Sequence, residues 1–148
     1  MKLDELLLQA DQDHNSGLNC AQSVLKQFCQ SGGLPAEKYF LRLSSGLGSG
    51  MKVGSVCGAL SGGIMALELH LGSEDPARKA EMDAPVRELV TRFRTTMAHK
   101  ECNKIIGYDV SDPTQRALAR EKGIFASQCP LAIRTAVTIV YDILNRNQ

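Results

Sequence analysis

Glycine crowds one stretch of this chain. Seven of the 13 glycines fall in the 18 residues from Gly46 to Gly63. Residues without a Cβ at that density mean unusual backbone angles, or backbone that approaches something closely. A single cysteine, Cys57, sits inside the stretch, and an apolar run from Ile64 to Leu71 follows it. A thiol at that place suggests that what the backbone approaches is chemical.

The rest of the chain reads as helix. Leu3, Leu6, Leu7 and Ala10 share one face of a first helix, ended by turn residues from His14 to Gly17. Asn19 with Gln22 three residues on forms a capping box. It opens a second helix whose buried face is Ala21, Val24, Leu25 and Phe28, stopped by Ser31-Gly32-Gly33. Pro35 suits a first helical position, and Ala36 to Leu43 make a third helix. A fourth runs from about Cys57 to Leu71. On it Gly58 and Gly62, four apart on one face, let another backbone pack closely.

Asp75-Pro76 opens an amphipathic segment that Pro85 should kink or break. Val86, Val90, Phe93 and Met97 form its apolar seam. A short turn from Glu101 to Ile106 ends at Gly107. Asp112-Pro113 starts a polar helix to about Lys122, which Gly123 terminates. Pro130 starts the last helix, with Ile133, Ala136, Val137, Val140 and Leu144 on one face. No segment alternates as a strand does. The pattern predicts an all-α, single-domain bundle of about five to seven helices over residues 1–148.

Composition excludes several functions. The net charge is +1, there is no Trp, aromatics are 5%, and no Lys/Arg cluster marks a helix face, so no nucleic-acid footprint is expected. No apolar stretch in the sequence reaches the roughly 20 residues that span a bilayer, so no membrane is expected. Acidic Asp4 and Glu5 stand where a signal peptide has its apolar core, which places the chain in the cytoplasm. Thiols are the default there, and stable disulfides are not expected.

The five cysteines are Cys20, Cys29, Cys57, Cys102 and Cys129, with no C-x-x-C among them. Spacing alone therefore says little, and position on the helices says more. Cys20 follows the cap Asn19, Cys57 opens the fourth helix, Cys102 lies near the start of a turn, and Cys129 precedes Pro130 at an N-cap. Helix N-termini offer unpaired N–H groups and the positive end of the dipole, which should favour thiolate. Cys29, nine residues after Cys20, points to the opposite side of the same helix and reads as a small buried hydrophobe. The other four converge on one site or are inert core thiols, and position alone does not separate the two.

These residues resemble a family of redox-active proteins named for its cysteine pattern, C-GCAxxG-C-C. Its characteristic run is matched by Cys57-Gly58-Ala59-Leu60-Ser61-Gly62 and its other cysteines by Cys20, Cys102 and Cys129. Asn19-Cys20-Ala21-Gln22-Ser23-Val24 is similar to its first cysteine segment, and Cys29 falls outside the pattern. The resemblance covers nearly the whole chain. It implies a helical domain whose four cysteines serve redox chemistry. A related domain stands beside haem-binding segments in some bacterial electron-transfer cytochromes, where an iron–sulfur site accompanies it. This chain has no C-x-x-C-H for a covalent haem.

Three functions fit. Cys20, Cys57, Cys102 and Cys129 bind an iron–sulfur cluster or a single metal for electron transfer or redox sensing, with Gly58 and Gly62 beside the cofactor. Alternatively, two of them cycle between dithiol and disulfide without metal. In the third, zinc holds together a helical interaction module. The resemblance favours iron–sulfur over zinc. A redox partner protein is expected, and the apolar last helix with the Gly58/Gly62 face is compatible with a homodimer.

The glycines carry no phosphate-loop fingerprint: G-x-x-x-x-G-K-[S/T] is absent, and Gly48-x-Gly50 does not continue, since position 53 is Val. His99, three residues before Cys102, is a candidate substitute ligand or a surface residue. His14 and His70 have no partner pattern. Lys52 balances a negative cluster or is simply solvated.

Overall fold

The helix-start signals keep their places in a computed structural model of the chain, which describes residues 2–29 and 37–146. Helix α1 (Leu3–Asn15) buries Leu6 and Ala10. Helix α2 (Cys20–Leu25) begins with the expected box: the Asn19 side chain accepts the Gln22 N–H at 2.8 Å, and Gln22 Oε1 accepts the Asn19 N–H at 3.0 Å. A short 3-10 turn (Lys26–Phe28) follows. Buried Asp13 ties it to α1 through Lys26 Nζ and Gln27 Nε2, both at 2.8 Å. The expected stop at Ser31-Gly32-Gly33 and start at Pro35 and Ala36 lie outside the described residues. Helix α3 (Glu37–Leu43) is seen from Glu37 onward.

Helix α4 (Gly58–Leu71) has Cys57 as its N-cap. A 3-10 segment (Pro76–Met82) leads into α5 (Asp83–Met97). Pro85 neither kinks nor breaks this helix. It sits in the first turn, where its missing N–H has no intrahelical acceptor to disappoint. Leu89, Phe93 and Met97 are buried, while Val86 and Val90 are half-buried at the edge of the face.

Helices α6 (Cys102–Ile106) and α7 (Pro113–Glu121) are capped by left-handed Gly107 and by the Asp112 side chain. Left-handed Gly123 then starts α8 (Ile124–Asn145) directly, so Pro130 lies inside this helix and not at its start. Helix α8 packs on α1, α4, α5 and α7, burying Ile133, Ala136, Val137 and Val140. With its extra turns it is long and apolar enough by composition to cross a bilayer, the one such helix among the described residues. In the fold a third of that apolar window is buried, including Ile133, Ala136, Val137 and Val140.

The all-α expectation holds. No strand occurs among the described residues, although Val56 and Glu101 form an isolated antiparallel bridge. Two apolar clusters result. The larger gathers α1, α2, α4, α5 and α8 around Phe93, Leu67 and Val140. A smaller one holds Cys102, Ile106, Val110 and Ala119, with Phe125 and Cys129 packed against it.

The tightest helix pair is α2 against α4. A Cβ built on Gly62 would stand 2.8 Å from Ala21 Cα, so only glycine lets the α2 backbone in. The backbone foreseen for the Gly58/Gly62 face is therefore this chain's own. The cap at Asn19 also holds α2 to α3, since Asn19 Nδ2 donates to the carbonyls of Ser44 and Ser45 at 3.3 and 3.2 Å. Asn19→Ala is expected to cost about 1 kcal/mol, read as a lower urea midpoint at unchanged slope.

Candidate functional site

Cys20, Cys57, Cys102 and Cys129 line one cavity of about 550 Å³. All four are unbridged thiols. The cavity lies where the two apolar clusters meet: Cys57 and Cys20 belong to the larger, Cys102 and Cys129 to the smaller. Three of the four stand at helix starts as expected, Cys20 and Cys102 as first residues and Cys57 as N-cap. Cys129 does not. It projects from within α8, because that helix starts at Ile124.

The glycine stretch shapes the approach. Ser49, Gly50, Met51 and Lys52 are four successive residues at φ 54, 61, 56 and 69. Left-handed backbone costs non-glycine residues roughly 1–2 kcal/mol each, so the surrounding structure must hold this turn in place. The turn sends the chain back so that Cys57 N–H donates to Lys100 O at 2.8 Å and Cys102 N–H to Ser55 O at 2.6 Å. Those two bonds fix Cys57 and Cys102 side by side. Gly58 lines the cavity, whereas Gly62 faces α2 and does not.

Electrostatics overturn the expectation that helix starts make thiolates. Burial pushes the Cys57 thiol up to about 11, although the Ala59 and Leu60 N–H groups pull the other way. Burial also pushes Cys102 up to about 12, against the pull of Arg116. Desolvation outweighs the helix terminus at these depths. Cys20 is raised because it shares a hydrogen bond with Cys129 and is desolvated. Cys129 is the one thiol moved down, by that same bond with Cys20 and by the Arg116 charge. The one thiol moved toward the thiolate is therefore the cysteine that is not at a helix start. In the reduced, metal-free chain, iodoacetamide is expected to modify Cys129 first at neutral pH, the other cysteines reacting only as pH rises. Peptide mapping of the alkylated chain checks that order.

His14 is the residue that sequence reasoning missed. It lines the cavity, with Nε2 3.9 Å from Cys20 Sγ, and burial lowers its basicity. Nothing in its spacing signals this. The contact forms across the turn through Gly17, whose φ of +116 folds the end of α1 back on the start of α2. His99, by contrast, is exposed and lies off the cavity. Cys29 is buried in the larger core, its Sγ donating to Leu25 O at 3.4 Å, and does not line the cavity. Lys52, Arg116 and Arg120 add three cations to the wall.

Among the described residues, no three Cys, His, Asp or Glu side chains close on a point as one metal ion requires. The thiols stand around the cavity wall instead.

One family model, described as "putative redox-active protein (C_GCAxxG_C_C)", matches residues 18–143, a span that holds all four cysteines. No curated protein and no solved structure matches the chain.

Proposed function

The chain belongs to the C-GCAxxG-C-C family, and on that footing we propose that its four cavity thiols hold an iron–sulfur cluster for electron transfer or redox sensing. The single observation that carries this reading is the convergence of Cys20, Cys57, Cys102 and Cys129 on one cavity. Four thiolates are the usual donor set for such clusters. The family's redox description favours a cluster over a lone zinc ion, which has no redox chemistry of its own.

When bound, the cluster supplies one-electron chemistry. The chain's own residues set its surroundings. Cys57 and Cys102 are buried and keep water from that side. The Ala59 and Leu60 N–H groups at the start of α4 favour the charged form of Cys57, and backbone N–H groups beside a cluster tune its potential. Arg116 offsets negative charge at Cys102 and Cys129. Loading must displace the protons that burial holds on Cys57 and Cys102, so affinity rises with pH.

A second reading has its own support. The Cys20 and Cys129 thiols act on each other, Cys20 moved up and Cys129 down, and a lowered thiol beside a second thiol is the arrangement of a dithiol couple. Closing that pair to a disulfide releases two electrons and two protons to a disulfide-bearing oxidant.

Anaerobic purification with an absorption spectrum, iron and acid-labile sulfide assays and a thiol count separates these. A brown protein with iron and sulfide supports the cluster. A metal-free protein that reversibly loses two thiols supports the dithiol. A colourless protein with one zinc per chain overturns both.

A further inference from the structure

The thiols occupy only part of their cavity. At about 550 Å³ it lies within the roughly 300–1,000 Å³ of small-molecule sites. Its wall carries Lys52, Arg116 and Arg120, and no Asp or Glu. None of the three cations is in an ion pair among the described residues. Outside the cavity Arg78, Arg92, Arg134 and Arg146 take carboxylate partners, whereas Arg42, Arg87 and Arg94 take none among the described residues; what sets the cavity cations apart is that three share one concave wall with no carboxylate. The cavity wall is thus an unbalanced positive surface inside a concave site.

The cations are also held in position. Arg116 donates through one guanidinium nitrogen to Ser49 Oγ at 3.0 Å and to Val110 O at 3.4 Å. It and Arg120, one turn apart on α7, both lie on the Phe125 ring, at 5.2 and 5.7 Å from its centre. That leaves the second terminal nitrogen of Arg116 and the whole Arg120 fork for a ligand. Lys52 comes from the left-handed turn on the other side. A fixed fork that needs two acceptors matches carboxylate or phosphate oxygens.

We propose that this wall binds a small oxyanion, the carboxylate or phosphate group of a ligand that the cavity brings up to the thiols. The site does not depend on which group the thiols hold.

The test is calorimetric titration of the full-length reduced chain, as purified and after chelation, with inorganic phosphate, malonate, and chloride at matched ionic strength. Saturable binding of phosphate, malonate or both, absent with chloride, is expected. Which of the two binds tells a phosphate ligand from a carboxylate one. The bound anion should slow iodoacetamide modification of Cys129 at least fivefold. Arg120→Gln and Lys52→Gln, both on exposed side chains, should each raise the dissociation constant at least threefold with an unchanged thermal midpoint. Heats equal to those of chloride, or binding that neither variant weakens, would overturn the oxyanion site. Either result stands whether or not the chain binds iron.

Discussion

Cys57→Ser is expected to strip the chain of iron and sulfide, to below about a tenth of the parent content, because one of four thiolate donors is gone. The fold should survive. Position 57 is the N-cap of α4, and serine is among the best residues for that place. Its hydroxyl can accept from a free N–H of the first turn of α4. The thermal midpoint is therefore expected to hold while the metal is lost, which separates ligand loss from unfolding. Cys29→Ser is the matched control. Its sulfur bonds only to Leu25 O within the core, off the cavity, so iron and sulfide should stay at parent levels.

Gly62→Val is expected to be strongly damaging to stability. Valine fits a helix less well than alanine but better than glycine, so propensity alone would favour the change slightly. Packing decides otherwise. The first added carbon would stand 2.8 Å from Ala21 Cα and 2.9 Å from Ala21 C, and backbone cannot rotate away as a side chain can. Overpacking of this kind costs about 3 kcal/mol or more, a drop in thermal midpoint of roughly 6–12 °C for a chain of this size. Because Ala21 follows Cys20, relief of the clash moves a site cysteine. Loss of the Cys20 thiol's pull on Cys129 should then appear as slower alkylation of Cys129 at neutral pH. Gly46→Ala, where an added Cβ meets nothing within 4 Å, should leave both measurements within about 0.5 kcal/mol of the parent.

Much of this was legible in the residues because it is local. Asn19 and Gln22, Asp112, Gly107 and Gly123 mark helix ends through their own backbone groups. The same logic placed Cys20, Cys57 and Cys102. The failures are failures of depth and of long range. Pro130 has the look of a helix start. With Gly123 turning the chain straight into α8, however, burial of Ala132, Ile133 and Ala136 carries the helix through the lost hydrogen bond. The expected thiolates at helix starts failed because residue order shows a helix terminus but not how far it lies from water. His14 and Arg116 reach the thiols across a turn and from another helix, and no spacing rule connects them to Cys20 or Cys129. The glycine stretch keeps its importance for a different reason. Its left-handed turn lays Cys57 beside Cys102, and Gly62 admits the backbone that carries Cys20.

The central claim is that four cysteines act as one site, and differential alkylation tests it most directly. The full-length chain is treated with iodoacetamide as loaded anaerobically and again after chelation, and each cysteine is quantified by peptide mapping. The expected result is that the alkylation rates of Cys20, Cys57, Cys102 and Cys129, followed up to alkaline pH, all fall on loading and all recover on chelation, Cys129 still the fastest, while Cys29 does not change. Protection of any one of the four that comes or goes independently of the others would contradict it.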